Sequence, residues 1–376
     1  MKNAKVTFFP LGNADTLRID LSDDRKVLID FANMRTGEAG DKRCDLPTLL
    51  RKDLEDAKRN FFDVVCITHI DSDHCKGFGD FFWLEQAAKY QGGDRVKIDE
   101  LWVPAAAILE EGVSDDSRLV RQEARHRLRQ GSGVRVFSLP ERLKSWMKRE
   151  GINYEERKHL IVDAGKLVPD FSSDGPEGVE FFVHSPFGWR QDENTVIERN
   201  EDSVVLHATF KIDGQESRFL IASDVKHNTL SDIVNITRAR KNDDRLRWDL
   251  LKLPHHCSYL SIGPDIGKDK TEPVHETKWL YETQREDGSF IVSPSKPIPL
   301  SGSKEDADVQ PPHRQAANYH RAVSAEKDGR FIVTMEQPSS ANPKPFSLTI
   351  SERGLSMTVA ASLLSSGAGG STPRAG

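Results

Sequence analysis

The stretch Ile67-Thr68-His69-Ile70-Asp71-Ser72-Asp73-His74 is the most informative part of this 376-residue chain. It follows the apolar run 63–67, which is typical of a buried strand. Its two His and two Asp can converge on the turn that leaves the strand, and imidazoles and carboxylates are ligands of zinc, manganese and iron. Asp-x-Asp also occurs in ordinary turns, but four such side chains are more than one cation needs. The stretch therefore predicts a site for two metal ions.

Three later stretches place polar side chains at the ends of predicted strands. Residues 219–224 form an apolar run that ends in Asp224, and residues 250–254 form another that is followed by His255 and His256. Residues 200–206 form a polar turn that enters a strand. Sites on sheet scaffolds are usually built at strand ends. We therefore expect these residues to meet those of the first stretch.

These motifs resemble those of the metallo-β-lactamase-fold hydrolases. The family's usual His-x-His-x-Asp-His carries Asp71 here in place of its second His. The resulting His-x-Asp-x-Asp-His resembles the branch that contains the hydrolase domain of the DNA-uptake protein ComEC. Residues 8–16, 27–30 and 200–206 resemble further motifs of that branch in the same order, and the likeness runs from residue 6 to about residue 260. Asn13, Ser223 and Cys257 stand where the branch has Gly.

The resemblance implies a set of site residues. The implied metal ligands are His69, Asp71, Asp73, His74, Asp224 and His256. One metal would bind His69 and Asp71, the other would bind Asp73, His74 and one of the two consecutive histidines, and Asp224 would bridge them. His256 is preferred as the ligand and His255 as a phosphate contact, with Asp73 also orienting the attacking water. The expected substrate contacts are Asn200, Ser203, Lys252, Ser258 and His313.

The pattern of predicted elements indicates a mixed α/β chain with two strand-rich halves, each followed by helices. Such a pattern is compatible with two sheets packed face to face, and the resemblance implies the four-layer αββα sandwich. We expect one domain over residues 1–364, with an insertion or cap over about 110–170 and a disordered tail over 365–376. A helix is predicted over Gly77–Tyr90. Asp30 and Asn33 follow a strand near the metal loop. They could support the ligands from behind, but ordinary turn capping is the preferred interpretation.

Composition restricts the class of protein. The formal net charge of −6 gives no global argument for nucleic-acid binding, although residues 118–129 and 238–252 are locally rich in Arg and Lys. No apolar run reaches the roughly 18 residues of a membrane span, and the N-terminus lacks a signal-peptide core. We therefore expect a cytoplasmic protein that does not bind membranes.

The expected function is metal-dependent hydrolysis through a hydroxide activated by two metals. The ComEC-like resemblance implies a phosphodiesterase or nuclease acting on DNA or RNA. The alternative is a small-molecule ester, amide or cyclic-nucleotide hydrolase of the same fold, since fold alone does not set the substrate. Because Asp71 adds an oxygen ligand, we expect manganese or zinc, with manganese favoured. A sensor or ATPase partner encoded in the same operon is a further expectation.

Overall fold

The computed structural model describes residues 2–193 and 197–358, and these contain two β-sheets. The strands are β1 (Ala4–Phe8), β2 (Leu17–Asp20), β3 (Lys26–Ile29), β4 (Phe61–Cys66), β5 (Lys97–Pro104), β6 (Val134–Phe137), β7 (Ile161–Val162), β8 (Val179–Ser185), β9 (Val205–Ile212), β10 (Gln215–Ile221), β11 (Trp248–Lys252), β12 (Arg285–Ser293), β13 (Arg330–Val333), β14 (Phe346–Ser351) and β15 (Gly354–Thr358).

The helices lie between these strands. The α-helices are α1 (Leu46–Asp56), α2 (Ser72–Cys75), α3 (Phe78–Phe81), α4 (Ala105–Leu109), α5 (Asp115–Gln130), α6 (Glu141–Arg149), α7 (Tyr154–Arg157), α8 (Gly188–Glu193), α9 (His227–Ala239), α10 (His275–Lys278) and α11 (Arg314–Ala325). A short 3-10 turn, Pro254–Cys257, follows β11. Within the described ranges, none of these helices is both long enough and apolar enough to cross a bilayer.

The two sheets have the strand orders β15-β14-β1-β2-β3-β4-β5-β6-β7 and β13-β12-β11-β10-β9-β8. In the nine-stranded sheet, β3 to β7 run parallel, while β1, β2, β14 and β15 are joined by antiparallel pairings. In the six-stranded sheet, β10 to β13 run parallel and β9 is antiparallel to both of its neighbours. The parallel strands end on one side of the sandwich, where polar residues follow several of them, such as Asp30 after β3 and Thr68 and His69 shortly after β4.

Three apolar cores define the layers. The inner core joins side chains of both sheets, such as Val27 and Trp102 of the first sheet with Phe181 and Leu250 of the second. A second core packs the other face of the nine-stranded sheet against α1 and α3 to α6. A third packs the six-stranded sheet against α9 and α11. The predicted four-layer αββα sandwich is therefore confirmed.

The predicted helix over Gly77–Tyr90 is wrong in its extent. Helix α3 covers only its beginning, and Phe82 then leaves the helix to form a bridge with Val96 beside β5. The Phe82 ring packs against Phe31 at a centroid distance of 5.2 Å. Tertiary packing of an aromatic residue on the sheet thus overrides the local helical pattern.

The expected insertion contributes to the sheet as well as to the helical layer. Residues 110–170 include α5, α6 and α7, and they also supply β6 and β7, which extend the nine-stranded sheet. The boundaries of the domain and of the insertion stay predictions. The predicted tail, 365–376, lies outside the described residues.

Because three histidines are buried, we expect the protein to lose stability in acid. Burial lowers the pKa of His184 to about 4 and the pKa of His207 and His320 to about 3. In the unfolded chain, these histidines bind protons near the ordinary histidine pKa of about 6.5. Their contribution to the free energy of unfolding is therefore fully present above that pH and is lost as the pH falls below it. From pH 7.5 to pH 5, each group should remove up to about 2 kcal/mol from the free energy of unfolding.

Urea denaturation at the two pH values measures this loss, and His207→Gln should reduce the difference between them. His126, which lies on α5 and is partly exposed, provides the control through His126→Gln. An equal pH dependence in the wild type and the His207→Gln variant would contradict the account.

Candidate metal centre

Asp30 fixes the loop of residues 67–74, which carries the predicted metal ligands, at the end of β3 and β4. Its Oδ1 accepts from the Thr68 backbone N–H at 2.7 Å, and its Oδ2 accepts from the Thr68 hydroxyl and from His74 Nδ1, each at 2.8 Å. The backbone of Phe31 donates to the His74 carbonyl at 2.9 Å. Asp30 is fully buried, so it supports the loop from beneath. The interpretation of Asp30 as an ordinary turn-capping residue is therefore wrong.

The six-stranded sheet brings its residues to the same edge. Ser223, which follows β10, lies 2.7 Å from the Thr68 hydroxyl through its own hydroxyl and so links the two sheets. After β11, His255, His256 and Cys257 have φ values of 49°, 51° and 66°. This left-handed conformation costs of order 1–3 kcal/mol for each residue that is not Gly. It turns both imidazoles back towards the centre, while Cys257 is buried in the apolar core beneath the helices.

The first group of possible ligands contains Asp73, His74, Asp224 and His256, whose ligand atoms lie within 4.8 Å of one another. His256 Nε2 is 3.1 Å from Asp73 Oδ2 and 3.6 Å from Asp224 Oδ2. His74 Nε2 is 3.4 Å from Asp224 Oδ1. Three of the four side chains are buried, so this group is the better enclosed part of the centre.

The second group contains His69, Asp71 and Asp73, again with ligand atoms within 4.8 Å of one another. His69 Nε2 lies 3.5 Å from Asp71 Oδ2. Both carboxylates are partly exposed, whereas His69 is buried. Because Asp73 belongs to both groups, two cations held by these groups would be neighbours.

Unpartnered buried atoms show that the centre fits cations. His69 Nε2, His74 Nε2 and Asp224 Oδ1 are buried and have no hydrogen-bond partner. His74 Nδ1 faces a carboxylate and His256 Nδ1 faces the Pro294 carbonyl at 2.9 Å. Because these oxygens only accept, each Nδ1 carries a proton, and each Nε2 is the atom that can offer its lone pair to a metal once its own proton is released. The donor set of imidazoles and carboxylates suits manganese or zinc.

The clustered carboxylates of the centre also favour the binding of positive charge. Burial lowers the pKa of His74, but the Asp30 and Asp224 carboxylates raise it well above its ordinary value. Burial likewise acts to lower the pKa of His256, but Asp224 and Asp73 raise it to about 9. The same contacts hold the pKa of Asp224 well below its ordinary value despite its burial. Protons or divalent cations can supply the charge that these carboxylates require.

The expected substrate contacts differ in whether their polar side-chain atoms already have partners within the fold. His255 is partly buried, and its Nδ1 has no hydrogen-bond partner, as is the case for His313 Nε2. The Ser203 hydroxyl, by contrast, donates to the Asn200 carbonyl at 2.7 Å, and the Ser258 hydroxyl accepts from the Leu260 backbone N–H at 3.3 Å. The roles of these four residues and of Asn200 in substrate binding stay predictions.

Lys252 lies beneath the centre. It is buried, forms an ion pair with Asp15 and donates to the Ala222 carbonyl at 2.6 Å. Its expected contact with substrate stays a prediction.

Two further site residues were not found from the sequence. Asp15 is buried and lies 3.8 Å from His74 Nε2 through its Oδ2, so it belongs to a third group with Asp30 and His74. Arg199 forms an ion pair of 2.5 Å with Asp71 Oδ1. The position of Asp15 in the first motif was a usable signal. Arg199 carried none, because it lies just outside the motif of residues 200–206.

No protein-family model and no curated protein matches the chain. Two solved structures share 11% identity with it. A diphosphatase of the PhnP family covers 77% of this chain and 85% of its own, with a TM-score of 0.32. Unliganded yeast PDE1 covers 89% of this chain and 98% of its own, with a TM-score of 0.43. Because both TM-scores lie below 0.5, neither likeness carries an argument about activity.

Asp30→Asn should weaken metal binding by about 10- to 100-fold, as expected when a carboxylate that orients a metal-binding imidazole is lost. The amide nitrogen only donates, so it cannot replace Oδ2 as the acceptor for the Thr68 hydroxyl and His74 Nδ1. Chelator-competition titration with Mn²⁺ measures the effect. Asp63→Asn is the matched control, because Asp63 accepts from the Lys26 backbone N–H at 2.7 Å at the opposite end of the same two strands. Equal affinities in the two variants would contradict the supporting role of Asp30.

Proposed function

We propose that this protein is a metal-dependent phosphodiesterase of the metallo-β-lactamase fold. The observation that carries the proposal is the pair of ligand groups that share Asp73 at one edge of the sandwich. Membership of the ComEC-like branch is part of the proposal and rests on the motifs of the sequence. A site for two neighbouring cations is suited to hydrolysis at phosphorus, where charge develops on several oxygens.

The proposed ligands would divide between the two groups. His69, Asp71 and Asp73 would hold one cation, and the Asp73, His74, Asp224 and His256 group would hold the other. When bound, divalent cations lower the pKa of water so that it can act as a nucleophile and offset negative charge on the phosphate. Asp73, the shared and partly exposed carboxylate, would orient that water by accepting its hydrogen bond.

His255 and His313 would bind the phosphate. Burial lowers the pKa of both side chains, so at neutral pH each imidazole is uncharged and offers one N–H donor. His255 Nδ1 and His313 Nε2 are the unpartnered nitrogens that could make these bonds. Neutral donors add hydrogen bonds without repelling the cations.

The size of the substrate is a separate part of the proposal. The Arg-rich helix α5 favoured DNA or RNA, but its side chains are largely paired within the fold. Arg121 and Arg125 pair with Glu111 at 2.9 and 2.7 Å, and Arg127 and Arg129 each pair with a further glutamate. Paired cations contribute less to a groove that follows a phosphate backbone. This observation favours the second candidate, a small phosphodiester such as a cyclic nucleotide.

Asp73→Ala and His74→Ala should each abolish hydrolysis of bis-p-nitrophenyl phosphate by metal-stripped protein that is reloaded with Mn²⁺ or Zn²⁺. The loss should exceed about 100-fold, because both residues belong to the metal groups. Asp80→Ala, on α3, is the control and should retain activity. Thermal melts establish that the variants fold, and full activity in both variants would reject the proposed site.

Cleavage assays distinguish the two candidate substrates. The phosphodiesters tested are plasmid DNA, single-stranded DNA, RNA and cyclic dinucleotides. The small-substrate candidate predicts metal-dependent cleavage of the cyclic dinucleotide, and a combined Arg121→Glu and Arg125→Glu variant should cleave it at the wild-type rate. If the polynucleotide is the substrate, the same variant should bind it more weakly and with a shallower dependence on salt. Cleavage of none of these phosphodiesters would favour the ester or amide alternative.

A further inference from the structure

We infer that Arg199 is a positioning residue that makes Asp71 usable as a metal ligand; this inference rests on the proposed function. Arg199 lies in the loop before β9, and its Nη1 is 2.5 Å from Asp71 Oδ1. The other Asp71 oxygen, Oδ2, remains directed towards His69 Nε2 at 3.5 Å. The arginine thus binds one carboxylate oxygen and leaves the other for a cation.

Glu110 holds the arginine in place. Arg199 Nε donates to Glu110 Oε2 at 2.8 Å, and Arg199 Nη2 donates to Glu110 Oε1 at 2.7 Å. This two-point contact fixes the plane of the guanidinium, which a lysine could not do. Glu110 follows α4, so the outer helical layer reaches the metal centre through two consecutive ion pairs.

The charge of Asp71 explains why such a residue is needed. Asp71 stands where the family has a neutral imidazole, and the centre already contains the carboxylates of Asp73 and Asp224. A further negative charge would oppose an anionic phosphodiester. Arg199 offsets that charge without occupying the atom that faces His69. The two partners are about one-third exposed, at 31% for Arg199 and 33% for Asp71, so the pair lies at the mouth of the centre.

An ordinary exposed ion pair would contribute little, and it would not affect metal binding. The positioning role instead predicts a selective effect. Loss of Arg199 should weaken the binding of the cation held by the His69, Asp71 and Asp73 group. The affinity of the better enclosed group for its cation should stay unchanged.

The experiment is a titration of metal-stripped wild-type protein and variants with Mn²⁺, followed by calorimetry and by metal analysis. We expect two ions in the wild type. In Arg199→Gln, the dissociation constant of the weaker ion should rise by about 10- to 100-fold, while that of the tighter ion should stay within about twofold. Glu110→Gln should also raise the dissociation constant of the weaker ion, but by a smaller factor. Arg199→Lys should bind that ion more tightly than Arg199→Gln does, because lysine keeps the positive charge.

Arg25→Gln is the matched control. Arg25 is similarly exposed, at 26%, and pairs with Asp23 at 2.6 Å before β3, away from the strand ends that carry the centre. Two ions of unchanged affinity in Arg199→Gln would overturn the inference and leave the proposed function intact. Tighter binding of the weaker ion in that variant would also overturn it, because Arg199 would then compete with the cation. A wild-type protein that binds neither Mn²⁺ nor Zn²⁺ would overturn both proposals.

Discussion

The buried carboxylate of Asp30 is the constraint on which the geometry of the candidate metal centre depends. It lies at the end of β3 and receives three hydrogen bonds from the loop that follows β4. A buried carboxylate with fewer donors would cost several kcal/mol, so the loop is held in the one arrangement that supplies them. That arrangement orients His74 and places Thr68 against Ser223 of the other sheet. The two sheets therefore meet where the possible ligands meet.

The centre concentrates negative charge that the protein alone does not balance. Asp15, Asp73 and Asp224 surround His74 and His256, and several of the atoms that face inward have no hydrogen-bond partner. Lys252 compensates Asp15 from below, and Arg199 compensates Asp71 at the mouth. The three left-handed residues that follow β11 add backbone strain at the same place. Strain and unpaired polar atoms that converge on one point are characteristic of a functional site.

Strand patterns predicted two packed sheets, and the family resemblance implied the four layers. Ligand-type residues after predicted strands are a local signal, and they identified the residues that converge at the strand ends. The sequence misassigned Asp30, because turn capping and support of a ligand have the same local appearance and differ only in the tertiary partner. It overextended the helix after Gly77, since the contact between Phe82 and Phe31 is not local. It also could not show that Arg121 and Arg125 are paired with Glu111, or that Arg199 reaches Asp71 across 128 positions of the chain.

Anomalous diffraction from a crystal of the Mn²⁺-loaded protein tests the central claim most directly, because it locates the ions without depending on a substrate. The account predicts two peaks at the edge of the sandwich, one bound by His69 and Asp71 and the other by His74, Asp224 and His256, with Asp73 beside both. Peaks remote from these residues, or no peak in protein exposed to excess Mn²⁺ and, in a second crystal, to excess Zn²⁺, would contradict the assignment of this edge as a metal centre.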